Sequence, residues 1–559
     1  MGKLYDLLDG FYLAKDIREI EERVAEIKNG FDSTIRDKHW YKDFQIYTVY
    51  PDAILNENGK ADLDTLRAYL QEIKYMGFNA IHLLPAYDSP MVDYGFDVSD
   101  YKAIRSELGG NLAIEKFLAE AERLGLHVFM DLILNHVSNE HDWYQKAVAG
   151  ERKYQNYFIT KERPPKLVER FVDEGTHWAR YEINGVAIDK FIIFPEQTGE
   201  IPHWEEGNDP NNNPADKKPL WYYHTFYPQQ LDLNWGNPNV FLEFVDIISY
   251  WAKRGVSFRL DAILFVGKDI DSGHIKNTSA THQVIAALNY VLKQINPNSV
   301  FLAETFEQMN LIRMYFGKED KIECEIAYNF QLASTLWAAI ITGQAKSLAE
   351  TIEHSLERPN WGQWINFVRN HDELSFEIMD SDLRKRVMQK LIPHGLPWRG
   401  DIGLAGRSFS LLKKDLHSLK FIYAALASLP GNPGLIYGDE YALENNYENM
   451  ERSLREKSSS ATDLSMIQPD TRDINRGQIT SALRNKPEGK EMRAFVEKLF
   501  NLRAEKLKGM STSRPEIKLE GESKLKLSYK LEGKDFSAEI DFASKSLSWV
   551  LEGEEVFRL

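Results

Sequence analysis

The sequence is poor in cysteine: Cys324 is the only one among 559 residues. One thiol cannot form an intramolecular disulfide, and a zinc cluster built from cysteines is excluded as well. The chain also lacks an apolar run long enough to span a bilayer, and the first 28 residues show no continuous apolar segment typical of a secretory signal. We therefore expect a cytoplasmic protein without a membrane partner.

Positive charge is in deficit, because 68 Lys and Arg face 84 Asp and Glu, giving a net charge of −16. This balance argues against non-specific binding to nucleic acid or to anionic membranes. Aromatic residues are plentiful, with 12 Trp, 26 Tyr and 29 Phe. Flat aromatic faces suit a sugar site, but they also fill the cores of large barrels, so composition leaves both interpretations open.

Short apolar, β-branched segments recur along the chain and alternate with helical stretches. Several are apolar at nearly every position, which is typical of strands that are buried on both faces. Amphipathic helices lie between them, and one covers 63–76 before Gly77 ends it. Asn111 is expected to cap the next helix. The predicted strands are Gln45–Tyr50, Ala80–Leu84, His127–Leu132, Val256–Asp261, Val300–Glu304, Ile326–Gln331, Ile365–Arg369 and Gly434–Tyr437.

Eight strands that alternate with helices predict an α/β fold, a closed (β/α)8 TIM barrel over residues 41–135 and 236–510. About a hundred residues after strand three lack a βα repeat and are too long for a plain loop, so 136–235 is predicted to be an inserted domain. Residues 1–40 form a predicted helical extension. The alternation around Leu525–Leu531 predicts a small C-terminal β-sheet domain over 511–559.

Polar residues stand at the ends of four predicted strands, where barrel enzymes carry their catalytic groups. The four segments are DLILNH (131–136), GVSFRLDAI (255–263), FLAETF (301–306) and FVRNHDE (367–373). In the second, Arg259 and Asp261 share one face of the strand, and charged groups there are costly unless they are paired or functional. Any one segment could be structural, but four at matching ends predict an active site.

These four segments resemble, in order, the signature regions of the α-amylase superfamily of glycoside hydrolases (family 13 type). The resemblance covers about residues 40–559, with domain B in the insertion and domain C in the tail. It implies that Asp261 is the nucleophile, Glu304 the general acid/base and Asp372 the carboxylate that grips the sugar. Arg259 would keep Asp261 ionised, because a neighbouring positive charge lowers a carboxyl pKa. The implied reaction is double displacement with retention.

The same resemblance implies a pocket for one glucose unit. His136 and His371 would bind sugar hydroxyls. The segment DYGFD (93–97) resembles one that closes the pocket of α-glucosidases, with Asp93 and Asp97 at its acidic positions and Phe96 where an aromatic ring stacks on the sugar. The segment QLDLNW (230–235), which begins at Gln230, resembles oligo-1,6-glucosidase and other exo-acting members.

No metal or cofactor is expected, although calcium stays open. The first βα loop offers oxygens on Asn56, Asn58 and Asp62, but Ile54 and Lys60 depart from the pattern of calcium-binding relatives. Asn135 corresponds to a second calcium position in the family.

The favoured function is a retaining α-glucoside hydrolase or transglucosylase that acts on short α-glucosides. Asp473–Arg476 resembles sucrose phosphorylases and Asn366–Glu377 resembles trehalose synthases, so both activities stay open. An endo-acting α-amylase and a non-catalytic barrel that serves as a binding subunit are further alternatives. The expected partner is a small α-glucoside or oligosaccharide, and the sequence does not decide linkage, acceptor or oligomeric state.

Overall fold

A computed structural model describes residues 2–28, 37–173, 176–193, 198–199, 201–207, 220–399, 402–460 and 470–559. Its centre is a closed barrel of eight parallel strands in chain order, which confirms the predicted fold class. The strands are β1 (Ile46–Val49), β2 (Ala80–Leu83), β3 (His127–Ile133), β4 (Val256–Asp261), β5 (Phe301–Ala303), β6 (Ile326–Tyr328), β7 (Gln363–Phe367) and β8 (Asn432–Ile436).

All eight predicted strands exist; only β4 has the predicted bounds at both ends, and three of the others differ by two or more residues at one end or both. β6 stops at Tyr328 because the side chain of Asn329 accepts a hydrogen bond from the backbone N–H of Leu332 and so caps the helix that follows. β7 and β8 each begin two residues before the predicted segment. Continuous apolar runs predict that a strand is buried, but they do not fix its ends.

Helices surround the barrel. The first barrel helix, Leu63–Tyr75, is followed by Gly77, which has a φ of +93°. The proposed cap at Asn111 is wrong: its side chain accepts from Ile104 N and donates to Lys102 O, and Gly109 precedes the helix. The larger barrel helices are Leu63–Tyr75, Gly110–Arg123, Pro238–Ala252, Ser279–Ile295, Phe330–Thr342, Lys346–Ser355, Ser381–Leu391, Leu416–Ala427, Tyr447–Ser460 and Pro487–Lys506.

Two N-terminal helices, Lys3–Leu8 and Ala14–Lys28, pack against the barrel helices Pro238–Ala252 and Ser279–Ile295. Tyr12 Oη donates a 2.6 Å hydrogen bond to the carbonyl of Trp235. The apolar face that the sequence shows in this extension is therefore covered by the same chain.

The segment between β3 and helix Pro238–Ala252 folds as a separate set of small sheets. A three-stranded antiparallel sheet comprises Lys166–Asp173, Thr176–Ile183 and Val186–Phe191. A second comprises Thr160–Lys161, Trp204–Glu206 and Trp221–Tyr223. His136–Ser138 pairs with Gln230–Asp232 at the base, so the insertion leaves the barrel and returns to it at one place.

Two larger sheets lie outside the barrel and the inserted domain, in addition to two two-stranded ones. The C-terminal sheet has five antiparallel strands, Glu516–Glu520, Lys524–Leu531, Lys534–Asp541, Ser546–Leu551 and Glu554–Arg558. The other, which the sequence did not predict, lies between β7 and β8 and comprises Leu374–Ser375, Leu396–Trp398 and Gly403–Ala405. The exact domain boundaries stay predictions. Within the described ranges, no helix combines the length and the apolar character needed to cross a membrane.

Candidate active site

Three carboxylates from the ends of different barrel strands line one cavity of about 480 Å³. Asp261 is the last residue of β4, Glu304 directly follows β5, and Asp372 lies five residues beyond β7. Parallel strands of a barrel end at the same rim, so residues that are far apart in sequence meet there. The structure thus brings together the three residues that the sequence predicted as catalytic.

Arg259 lies beneath two of these carboxylates. Its side chain is 1% exposed, and its Nη1 donates to Asp261 and, at 2.8 Å, to Asp131. Its Nη2 lies 3.5 Å from Glu304 Oε1. One buried guanidinium therefore contacts both members of the proposed nucleophile and acid pair, and the cost of burying these charges is offset by mutual pairing.

Burial raises the pKa of Asp261 well above its usual value, and Arg259 opposes the rise. The positive charge of Arg259 lowers this pKa, whereas removal of the carboxyl from water and the negative charge of Glu304 raise it. Burial likewise raises the pKa of Glu304, again against Arg259. Two carboxyls that interact in this way titrate as a pair.

The backbone after Asp261 also shapes the pair. Ala262 has a φ of +44°, in the left-handed region that non-glycine residues rarely adopt. Its N–H donates a 2.9 Å hydrogen bond to Glu304 Oε2. The strained turn thus directs a backbone donor at the acid, and such strain persists only where the surroundings enforce it.

Asp372 differs from the other two carboxyls, because its pKa is lowered. Burial acts to raise it, but His371, Arg472 and Arg476 outweigh that effect. Arg472 Nη1 lies 3.2 Å from Asp372 Oδ1, and His371 Nε2 lies 3.1 Å from Oδ2. Burial lowers the pKa of His371 to about 3, so the ring is neutral at neutral pH, where the guanidinium groups of Arg472 and Arg476 are the positive charges that act on Asp372. Asp372 is thus held ionised.

Phe96 and His371 form a stacked pair beside the carboxylates, with ring centroids 5.3 Å apart and an interplanar angle of 11°. Phe96 lines the cavity. His136 lines it too, and burial lowers its pKa to about 4. Because Asn135 Nδ2 donates to His136 Nδ1, the proton of this neutral ring is on Nε2, which is 3.1 Å from the carbonyl of Phe96.

The loop after β2 carries the two acidic residues that the sequence selected, and they have different surroundings. Asp93 lines the cavity, 3.6 Å from Arg472, and accepts a 2.9 Å hydrogen bond from Gln230 Nε2. Asp97 is fully buried behind the loop and accepts from the backbone N–H groups of Val92 and Asp93. Asp93 therefore faces the cavity, whereas Asp97 and Gln230 hold it in place.

Arg472 is the main residue that sequence reasoning missed. It lies in the turn Thr471–Asn475, beyond β8, and its guanidinium bridges Asp372, Asp93 and Asp470. Arg476, one turn later, stacks on the ring of Tyr94 at 3.6 Å. The fragment DINR (473–476) was the sequence feature that could have pointed to Arg472, but nothing in the sequence indicates which arginine lies beside the strand ends.

The rest of the cavity wall is formed by residues of several other segments. It comes from the inserted domain, from the segments after β4 and β5, and from the segment between β7 and β8. It combines aromatic faces with hydrogen-bonding groups, a mixture that suits a neutral, polyhydroxylated ligand. These residues include Trp178, Phe191, Ile193, Lys276, Phe306, Glu307, Gln308, Glu373, Glu377, Trp398 and Arg399.

The residues around Asn135 do not suit a calcium ion. Lys268 Nζ lies 2.5 Å from Asn135 Oδ1 and 2.8 Å from Thr225 Oγ1, and it also contacts Asp232. An ammonium already occupies the centre of these oxygens, and calcium requires six to eight oxygen ligands. Among the described residues no group of three or more His, Cys, Asp or Glu could hold a metal.

The first βα loop fits calcium no better. Asn56 Oδ1 accepts from the backbone N–H groups of Asn58 and Lys60. Asp62 caps a helix at Thr65 N and pairs with Lys60 Nζ. Since the protein's own donors use these oxygens, we assign no step to a metal.

Comparison with known proteins agrees with this geometry. The family profile described as alpha amylase, catalytic domain, matches residues 48–392. The chain is 28% identical over 417 residues to trehalose synthase/amylase TreS of Mycolicibacterium smegmatis, covering 73% of this chain and 64% of that protein. It is 28% identical over 298 residues to glucan 1,6-alpha-glucosidase of Streptococcus dysgalactiae subsp. equisimilis, covering 53% of this chain and 49% of that protein. The chain thus spans less than two thirds of the length of these relatives.

Solved structures share the fold at low identity. Sucrose 6F-phosphate phosphorylase from Thermoanaerobacter thermosaccharolyticum has a TM-score of 0.71 at 18% identity, covering 93% of this chain and 97% of that one. Trehalose-6-phosphate hydrolase from Bacillus licheniformis has a TM-score of 0.62 at 21% identity, covering 90% of each chain. The profile match, which covers more than half of the chain, shows that this protein belongs to the alpha-amylase family of glycoside hydrolases and transferases.

Proposed function

We propose that this protein is a retaining enzyme that transfers the glucosyl unit of short α-glucosides to water or to a sugar hydroxyl. The observation that carries the proposal is the guanidinium of Arg259, whose two terminal nitrogens contact Asp261 and Glu304 separately. Two carboxyls that contact one guanidinium are near neighbours, which supports a retaining mechanism, in which the pair lies about 5–5.5 Å apart.

In the first step a carboxylate oxygen of Asp261 attacks the anomeric carbon, and the bond from that carbon to the leaving oxygen breaks. Glu304 gives its proton to the leaving oxygen. Arg259 contacts Asp261 more closely than it contacts Glu304. The closer contact favours the negative charge on Asp261, so Glu304 is the member of the pair that carries the proton. In the second step an acceptor hydroxyl loses its proton to Glu304 and attacks the same carbon, which releases Asp261.

The cavity end formed by Asp93 and Arg472 supports action at a chain end rather than inside a polymer. Their ion pair, 3.6 Å long, joins the loop after β2 to the turn after β8. A carboxylate beside a guanidinium offers both acceptors and donors to the hydroxyls of a terminal glucose unit. An endo-acting α-amylase needs an open cleft at this place.

Intramolecular transfer of the trehalose synthase type is the second candidate. Several relatives carry the name trehalose synthase, including the protein of Thermus thermophilus, 29% identical over 415 residues and covering 73% of this chain and 39% of that protein. The same glucosyl-enzyme serves hydrolysis, isomerisation and phosphorolysis, which differ only in the group that attacks it. A phosphorylase remains a third candidate, to which the solved neighbour contributes fold likeness only.

Product analysis by NMR separates these functions. The protein is incubated with maltose, isomaltose, trehalose and sucrose, each with and without phosphate. α-Glucose that appears before mutarotation indicates a retaining hydrolase, a new disaccharide indicates transfer, and glucose 1-phosphate indicates phosphorolysis. Asp261→Asn is the control and should abolish every product. Turnover that survives this substitution, or no turnover of any of the four sugars by the unaltered protein, would refute the proposal.

A further inference from the structure

Two segments that are distant in sequence are joined by a contact at the wall of the cavity. Arg399, in the segment between β7 and β8, donates hydrogen bonds of 3.0 Å from Nε and 2.9 Å from Nη2 to the carbonyl of Ile193, in the inserted domain. Both residues line the cavity that holds Asp261 and Glu304. The bridge therefore joins two walls of the cavity in which the proposed reaction takes place.

The conformation of Arg399 is enforced by its surroundings. Its φ is +46°, in the left-handed region, and its guanidinium lies 4.5 Å from the ring of Trp398. Trp398 is held by pairing with Gly403, where a Cβ would come within 3.0 Å of the indole ring. A strained arginine that rests on a tryptophan, with two donors on one carbonyl, is pre-organised for its position.

The same segment of the inserted domain is also held from another side. Lys276 Nζ lies 2.7 Å from Glu307 and 5.6 Å from the ring centroid of Phe191, two residues before Ile193. Both Lys276 and Glu307 line the cavity. The inserted domain is thus held against the barrel's loops at Phe191 as well as at Ile193.

We propose that Trp398 and Arg399, through the bond to Ile193, retain the leaving sugar beside the glucosyl-enzyme and so set the partition between transfer to a neutral sugar and transfer to water. The inference rests on the proposed function. While the bridge is closed, the released hydroxyl stays near the anomeric carbon at a high effective concentration, and bulk water has reduced access. When the bridge opens, the sugar leaves and water takes its place.

An isotope-exchange experiment tests this inference. The protein converts unlabelled maltose in the presence of a tenfold excess of ¹³C-labelled glucose, and NMR measures two quantities: the labelled fraction of new disaccharide and the ratio of glucosyl units given to sugar and to water. Each ratio is formed within one variant, so a change in overall rate cancels. Arg399→Ala removes the bridge, and Arg399→Lys keeps the charge but not the two-pronged bond. Arg558→Ala, an exposed arginine of the C-terminal sheet, is the matched control.

In the unaltered protein and in Arg558→Ala, new disaccharide should carry little label. Arg399→Ala should raise the labelled fraction and lower the transfer-to-hydrolysis ratio, each on the order of tenfold, with Arg399→Lys between them. Equal values in all four proteins, or free exchange or pure hydrolysis by the unaltered protein, would overturn the inference and leave the proposed function intact. No turnover of α-glucosides by the unaltered protein would overturn both.

Discussion

Arg472 Nη1 lies 3.2 Å from the carboxylate of Asp372, although the two residues are 100 positions apart in sequence. The same guanidinium lies 3.6 Å from Asp93. Three segments, after β2, β7 and β8, therefore meet at one cation. This contact closes the end of the cavity and keeps Asp372 ionised despite its burial.

Replacing Arg472 by Met should weaken sugar binding and shift the acid limb of the pH profile. Charged hydrogen bonds are worth about 1.5–3 kcal/mol, so kcat/KM for a short α-glucoside should fall at least about tenfold. Arg472 lowers the pKa of Asp372, so its removal raises that pKa, and activity should be lost at a higher pH on acidification. Profiles of kcat/KM from pH 4 to 8 measure both effects. Arg123→Met, at an exposed surface pair, is the control, and an acid limb unchanged in Arg472→Met contradicts the assignment.

Replacing Glu304 by Gln should make the rate depend on the leaving group. The first step with an alkoxide leaving group needs a proton from Glu304, and general acid catalysis is worth about 10²–10⁴. With a leaving group that needs no proton, such as p-nitrophenolate, the rate of the first step, measured in the burst phase of its release, should fall much less. Asp261→Asn serves as the comparison, because loss of the nucleophile affects all leaving groups. An equal loss for both kinds of substrate in Glu304→Gln would assign the acid elsewhere.

The cation that joins the inserted domain to the barrel is expected to be Lys268 rather than a metal. Dialysis against EDTA should leave activity and melting temperature unchanged. Lys268→Met should lower stability by about 3–5 kcal/mol, because Asp232 is fully buried and would keep an unpaired charge. Lys146→Met, at an exposed ion pair with Asp142, should cost less than about 1 kcal/mol. Chemical denaturation measures these differences, and inactivation by EDTA that calcium reverses would contradict the expectation.

Lys190 should make the stability of the inserted domain depend on pH. Its Nζ is buried over the ring of Tyr223, and burial lowers its pKa from 10.5 to about 7. The charged groups that act on it are Asp271, Lys268, Lys161 and Asp269. Between pH 7 and 10.5 the unfolded chain binds this proton and the folded chain does not, so stability should rise with pH across that window. Below pH 7 both states bind it and the cost of the buried charge is constant.

Lys190→Met removes this cost, at about 1.4 kcal/mol per unit of pKa shift. The variant should therefore melt at a higher temperature than the unaltered protein at pH 6, and the difference should shrink towards pH 9. Melting temperatures in a series of buffers, with Lys146→Met as a lysine control, check the sign. A difference that is constant with pH would show that Lys190 keeps its proton throughout.

Much of the barrel could be predicted because its signals are local. A strand buried on both faces is expected to be apolar at almost every position, as β5 (Phe301–Ala303) is and as most of β3 (His127–Ile133) is, and a polar residue at its end is conspicuous. The same logic selected Asp261, Glu304 and Asp372. Side-chain capping is less predictable: Asn329 and Asn111 look alike in sequence, but only Asn329 caps its helix.

The sequence by itself determined the barrel, the carboxylates at its strand ends and the absence of disulfides, because these follow from periodicity, residue type and count. Only the tertiary structure decided that Arg472 closes the cavity, that Arg399 reaches Ile193, and that Lys268 lies among the oxygens around Asn135. These contacts join loops from different strands, and loop residues carry no periodic signal that reveals their partners. The raised pKa of Asp261 also follows only from the tertiary structure, because it depends on burial and on the whole set of charges around Arg259.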